Sequence, residues 1–317
     1  MTVHSIDGAE WKTKLEHIEN LAKADKEIVF NNLGHLITEE SLKDTYRRMD
    51  GSKAPGTDKI TKEKYGEKLE SNIIKLLERI RRESYHPKAA RLVEIPKEDG
   101  STRPLVISCF EDKLVQEEVS KILTAIYEPM FLPCSYGFRE NHSCHEALKI
   151  LMKEVNRRKD GGIVEIDIRK CFNKIPHKPL QEMLAKKISD KRFLKLVDEL
   201  IKTPIMVDGK EKINREGCPQ GSIISPILAN IYLHYVIDDW FEELKKTYFR
   251  GKNTMVRYAD DMVFIFENYE EAKRFYAVLP KRLSKYGLEM NYEKSQLLKS
   301  GEIVAINAEE KHERMGI

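Results

Sequence analysis

Met255-Val256-Arg257-Tyr258 and Met262-Val263-Phe264-Ile265-Phe266 are two β-prone, mostly apolar runs with only Ala259-Asp260-Asp261 between them. So short a gap leaves room for a tight turn, and the chain is predicted to fold back here as a hairpin whose strands lie in a core. The turn is acidic. A second run, Ile163-Val164-Glu165-Ile166-Asp167-Ile168, alternates from Val164 onward. Strand geometry places Val164, Ile166 and Ile168 on one face and Glu165 and Asp167 on the other. Asp167 and Asp260 lie 93 residues apart, so only neighbouring strands can bring them together.

Helical periodicity dominates elsewhere. Residues 9–29 carry an amphipathic pattern that breaks at Asn31-Asn32-Leu33-Gly34, and a second helix is predicted near 38–49. Gly, Pro, Ser and Asp mark residues 51–58 as an ordered loop, with helix returning over 62–82. Residues 90–96 and 103–107 read as strands joined across Lys97-Glu98-Asp99-Gly100, an Asp-Gly hairpin signal. Val115, Val119, Ile122 and Ile126 then recur at spacings of four, three and four, which makes one buried helical stripe. Further helices are predicted over 144–158, 178–203, 225–246 and 269–286, with a short hairpin at Asp208-Gly209 and a polar tail after Asn291. Asp238-Asp239 falls within the predicted helix 225–246 and reads as a solvated face.

At 317 residues the chain exceeds the usual size of one core, so two lobes or two domains are expected. Lys+Arg 55 against Asp+Glu 52 gives a heavily ionised but nearly balanced surface. The distribution says more than the total: residues 1–40 carry four Lys and eight acidic groups, whereas residues 41–103 carry sixteen Lys/Arg and eleven acidic groups. A local basic surface follows. Five Cys without a CxxC pair or a signal peptide point to reduced thiols in a cytoplasmic interior, bacterial or organellar. Cys134, His142, Cys144 and His145 match no usual zinc spacing and are set aside. No apolar stretch reaches the ~20 residues that span a bilayer, so no membrane partner is expected.

Carboxylates that converge from two strands supply the hard oxygen ligands that a divalent cation needs. An isolated Asp-Asp is more often just a turn. Its company decides otherwise. Tyr258-Ala259-Asp260-Asp261 between apolar strands resembles the signature of reverse transcriptases, and the surrounding blocks resemble those of group II intron-encoded reverse transcriptase/maturases. These blocks occur in the family's order from about Ala54 to Ser295. They are Ser135-Tyr136-Gly137-Phe138-Arg139; Ile166-Asp167-Ile168 with Phe172 and His177; Pro219-Gln220-Gly221 with Ser225-Pro226; and Gly287-Leu288 with Asn291 and Glu293-Lys294-Ser295. Val106, Cys171, Asn173 and Lys59 depart from the family pattern without removing a metal ligand.

The resemblance implies an α+β right-hand polymerase fold: an N-terminal helical extension over 1–50, fingers over 51–160, a palm over 161–300 on a small antiparallel sheet, and a tail over 301–317 before an absent or truncated thumb. It implies RNA-directed DNA polymerase activity, with Asp167, the Ile168 backbone, Asp260 and Asp261 holding two Mg²⁺ (Mn²⁺ as substitute). Asp260 is the expected principal ligand of the turn. Arg91, Lys97 and Arg103 would meet the triphosphate of a deoxynucleotide. Phe172 would crowd a ribose 2′-OH, and Gln220 would contact nucleotide or template. Tyr136 and Arg139 would contact RNA, and Lys294 is a candidate general acid, read otherwise as a surface helix-cap lysine. The implied partners are an RNA template and primer, intron RNA and dNTPs; the oligomeric state is left open. Two alternatives stand beside this reading: a splicing cofactor that binds intron RNA without polymerase activity, and a defence or diversity-generating reverse transcriptase.

Overall fold

The computed structural model describes residues 7–96, 100, 102–157 and 161–300. Its strands are β1 (Ala90–Pro96), β2 (Thr102–Ile107), β3 (Gly161–Ile166), β4 (Ile205–Val207), β5 (Lys210–Lys212), β6 (Asn253–Tyr258), β7 (Asp261–Phe266) and β8 (Gln296–Ser300). They form two four-stranded sheets, ordered β2-β1-β4-β5 and β6-β7-β3-β8. The chain divides into two compact units, residues 1–130 with 175–231 and residues 131–174 with 232–317. Neither unit is one continuous segment.

In the first unit the helix Phe110–Tyr127 runs through the core. Val115, Val119, Ile122 and Ile126 are at most 2% exposed, as their spacing predicts. The same helix also buries polar groups, and each has a partner, as burial requires. Tyr85 Oη donates to Asp112 at 2.6 Å, Gln116 Nε2 donates to Ser108 at 3.0 Å, and Thr45 donates to Glu118. Two predicted helices are each split. Residues 62–82 form Lys62–Gly66 and Leu69–Arg81, with the Asn72 amide donating to the Tyr65 carbonyl at the break. Residues 178–203 form His177–Leu184 and Lys191–Ile201. The second break is set by Asp190, whose carboxylate caps the following helix at the Arg192 and Phe193 N–H groups and also accepts from Leu33 N–H at 2.6 Å. β1 pairs antiparallel with β2 and parallel with β4, and the hairpin at Asp208-Gly209 is present.

The sheet of the second unit is antiparallel throughout: β7 pairs with β6 on one side and β3 on the other, and β8 completes it beyond β3. β8 occupies residues expected to be a polar tail. A Gln-Leu-Leu-Lys-Ser edge strand carries too little apolar alternation to announce itself. Phe241, Phe249, Phe264, Phe266 and Phe275 form an aromatic cluster on this unit, with Phe264 and Phe275 centroids 4.6 Å apart. Residues 225–246 are also interrupted: helix Ser225–Leu233 passes into a π-helical turn, His234–Asp238, before Asp239–Thr247. That turn overturns the solvated reading of the acidic pair. Asp238 is 0% exposed, whereas Asp239 is exposed.

Candidate active site

β3 and β7 fix the site. Their register ends with Ile166 paired to Met262, and Asp167 and Asp261 are the next residues beyond that pair on the two chains. Val164 and Ile166 are buried while Glu165 is exposed, so the predicted alternation holds and Asp167 follows on the carboxylate face. Asp167 and Asp261 line one open cavity of about 480 Å³ together with Glu165, Glu293, Lys294 and Ser295. Asp167 is held from three directions: its N–H donates to Ser295 Oγ at 3.1 Å, Asn291 Nδ2 donates to its Oδ1 at 3.0 Å, and Asn291 N–H donates to its carbonyl at 2.9 Å. Glu165 accepts from Gln296 Nε2 at 2.6 Å.

The hairpin turn is one residue shorter than expected. Ala259 and Asp260 make it, and Asp261 already pairs with Tyr258 as the first residue of β7. Two-residue hairpins need a positive φ in the turn, usually supplied by Gly or Asn. Here Ala259 supplies it, at φ +57°. Asp260 sits half-buried in the turn, and Asp261 lines the cavity with Asp167. The Asp261 carboxyl pKa is raised, first by partial burial and then by the charges of Asp167 and Glu165, with Lys294 opposing. Lys294 caps no helix: it lies in the turn after Asn291, within that same cavity.

Ile168 is buried and forms an antiparallel bridge with Met290, so only its backbone could serve a cation. Phe172, on the short helix Cys171–Lys174, is 8% exposed and meets the more exposed Phe138 edge-on at 6.0 Å. Tyr136 is half-buried against His142. The Arg139 guanidinium donates to the Leu132 and Ser135 carbonyls through Nη1 and lies over the Phe131 ring. In the first unit, Arg91 and Arg103 are exposed on the β1–β2 hairpin. Lys97 lies outside the described residues. The Gln220 carbonyl accepts from Val106 N–H at 2.8 Å, an approach that Gly221 permits: its φ is +98°, and a Cβ there would lie 2.4 Å from the Val106 carbonyl oxygen. Three cations of the basic stretch 41–103, Arg48, Lys53 and Lys62, line a cavity of about 530 Å³ in the first unit together with Lys113, Lys121, Asp50 and Glu117.

Sequence reasoning missed the residues that brace the turn. Arg257 Nε and Nη2 donate to the two Asp238 carboxylate oxygens at 2.8 and 2.6 Å, and Nη1 donates to the Ala259 carbonyl at 2.9 Å. The available signal was Arg257 itself, a charge between Val256 and Tyr258 in a core strand, which demands a buried counter-charge.

An antiparallel sheet that brings two carboxylates to one cavity beside a two-residue acidic turn is an arrangement suited to a divalent cation. Residues 95–311 match the family model described as reverse transcriptase (RNA-dependent DNA polymerase), and the chain belongs to that family. Within it the resemblance to group II intron-encoded proteins is borne out. The chain is 34% identical to the group II intron-encoded protein LtrA of Lactococcus lactis over 241 residues, 74% of this chain and 39% of that protein. It is 40% identical over 176 residues, 56% of this chain and 21% of the relative, to an uncharacterized 91 kDa protein in the cob intron of Schizosaccharomyces pombe. The chain thus spans well under half the length of these relatives. A telomerase from Candida albicans shares the fold, with a TM-score of 0.54 at 16% identity over 75% of this chain and 46% of the other. The expected α+β class, with fingers and a palm on a small antiparallel sheet, agrees with this.

Reverse transcriptases generally depend on divalent metal ions. The residues here fit such an ion. Among the described residues no three His, Cys, Asp or Glu side chains converge as a self-sufficient metal cage. Two carboxylates that leave the remaining positions to water and phosphate are the donor set suited to a hard, partly hydrated cation. The raised Asp261 carboxyl has the same sense: burial first, and then the charges of Asp167 and Glu165, disfavour its ionised form, and a cation would relieve both.

Proposed function

We propose that this chain is the polymerase core of a group II intron-type reverse transcriptase, extending a primer 3′-OH with deoxynucleotides on an RNA template and releasing pyrophosphate. The observation that carries the reading is that Asp167 and Asp261, each next to the last pair of the β3–β7 register, line one cavity. In this proposal Asp167 and Asp261 hold Mg²⁺, with Asp260 and the Ile168 carbonyl completing its surroundings. Bound Mg²⁺ would supply Lewis-acid stabilisation of the phosphoryl oxygens and lower the pKa of the primer hydroxyl. Asn291 and Ser295 keep Asp167 oriented before substrate arrives, so no reorganisation is needed at the reacting centre. Lys294, on the cavity wall, offers a cation and a proton to a departing phosphate oxygen.

Phe172, nearly buried, walls the sugar position and favours deoxynucleotides over ribonucleotides. Arg91, Arg103 and Lys97 supply cations for the triphosphate, and Gln220 an amide for nucleotide or template. The excess of cations over Asp50 and Glu117 in the first unit's cavity suits an RNA backbone, and Tyr136 is a stacking surface for a base. Similarity to intron-encoded proteins supports a second role for the same chain, gripping intron RNA to assist splicing.

The test is Mg²⁺-dependent primer extension on an RNA template by wild-type, Asp167→Asn, Asp260→Ala and Asp261→Asn chains, with RNA affinity measured alongside. Extension lost in the variants with RNA binding retained supports both roles. Absence of extension by the complete wild-type protein would end the polymerase reading and leave the RNA-binding one.

A further inference from the structure

The Asp238–Arg257 pair has no place among the groups that meet substrate, yet both side chains are 0% exposed. A buried ion pair is rarely favoured over well-packed apolar residues for stability alone, because desolvating two charges costs about as much as their attraction returns. This one does more than neutralise charge. Two guanidinium nitrogens are spent on Asp238, and the third donates to the Ala259 carbonyl at 2.9 Å, inside the turn that carries Asp260 and leads into Asp261. The backbone of Arg257 is fixed as well: its N–H donates to the Cys134 carbonyl at 2.7 Å and its carbonyl accepts from Tyr136 N–H at 2.8 Å.

Two further features point the same way. Ala259 sits at φ +57°, a conformation that a residue with a Cβ adopts at a cost and keeps only when its surroundings impose it. Asp238 is the last residue of the π-helical turn His234–Asp238, a departure from regular helix that re-aims the side chains around it. Lys could neutralise Asp238 but could not span three acceptors with a planar fork.

We propose that Asp238 and Arg257 act as a positioning pair that clamps the Ala259 carbonyl and so sets the direction of the Asp260 and Asp261 carboxylates. The proposal rests on the polymerase reading for its consequence in catalysis, and on the turn geometry alone for its consequence in cation binding.

The experiment compares wild-type, Arg257→Lys and the double variant Asp238→Leu/Arg257→Met, which removes both charges together and so avoids stranding one of them. Thermal melting reports folding, electron paramagnetic resonance titration reports Mn²⁺ binding to the chain without nucleic acid, and single-turnover extension reports chemistry. The double variant is expected to melt close to wild-type, to bind Mn²⁺ about tenfold or more weakly, and to extend about tenfold or more slowly with RNA affinity unchanged. If the double variant fails to fold, Arg257→Lys carries the same expectation at preserved charge. Wild-type Mn²⁺ affinity in a folded variant overturns the clamp. If wild-type shows no extension, the polymerase reading fails separately, while the Mn²⁺ comparison still decides the clamp.

Discussion

Gly137→Ala tests whether the acidic turn works through its position. A Cβ built on Gly137 would lie 2.2 Å from the Ala259 nitrogen, 2.9 Å from its Cα and 3.0 Å from the Tyr258 carbonyl carbon. Ordinary contact begins near 3.4 Å, so the two segments must part by more than about 1 Å. Both obstacles are backbone, and no flexible side-chain end can yield. The neighbouring backbone is pinned through Tyr136 N–H to the Arg257 carbonyl and Arg257 N–H to the Cys134 carbonyl, so the displacement falls on Ala259, Asp260 and Asp261. Overpacking of this kind costs about 1–3 kcal/mol of stability. A misplacement of roughly 1 Å at a reacting centre costs about a hundredfold in rate, or about 2.7 kcal/mol of barrier. The assay is single-turnover addition of one deoxynucleotide to a primer on an RNA template at saturating nucleotide, with RNA affinity read by fluorescence anisotropy. A rate near one hundredth of wild-type with unchanged RNA affinity is the expected result. A folded Gly137→Ala chain that extends within threefold of wild-type refutes the claim that this packing sets the carboxylates.

Three further outcomes are expected. Asn291→Leu removes the amide that donates to Asp167 Oδ1 at 3.0 Å, a bond to a charged group, and should slow extension about tenfold or more with RNA binding intact, measured by the same assay. Phe172→Ala opens the wall proposed beside the sugar and should raise ribonucleotide use relative to deoxynucleotide use about tenfold; an unchanged ratio in competition assays would return Phe172 to a packing role. Burial raises the Asp112 carboxyl pKa from 3.8 to about 6, so between those values the folded chain holds the proton that the unfolded chain has released. Stability therefore falls as pH rises from about 4 to about 6, by up to about 3 kcal/mol from this group, and urea unfolding of Asp112→Asn should show a flatter pH dependence than wild-type.

The parts of the fold that the sequence announced were those where side-chain period and backbone period coincide. Val164 and Ile166 against Glu165 and Asp167, or the stripe Val115, Val119, Ile122 and Ile126, need no distant partner to be read. What stayed hidden depends on partners far along the chain. Asp190 caps the helix Lys191–Ile201 while its carboxylate also meets the Leu33 and Gly34 N–H groups, contacts that local propensity cannot anticipate. β8 forms because β3 offers it an edge, and its composition alone does not ask for a strand.

The candidate site divides along the same line. Asp167 and the Asp260-Asp261 turn were legible because alternation and turn chemistry are local, but the residue at which the turn closes was not. Whether Asp260 or Asp261 shares a cavity with Asp167 depends on where the turn closes, and a turn of Ala259-Asp260 in place of Ala259-Asp260-Asp261 carries Asp261 into the paired register of β7. That shorter turn demands a positive φ from Ala259, and a strained alanine needs a reason to stay. The reason lies on the other side of the strand. Arg257 looked like an interruption of an apolar run and Asp238 like half of a solvated acidic pair, yet a buried guanidinium cannot stand without a carboxylate. Once Asp238 occupies two of its nitrogens, the remaining nitrogen reaches Ala259. The acidic tetrad is therefore incomplete as a motif: the arginine before it and an aspartate nineteen residues upstream of that arginine belong to the same physical unit.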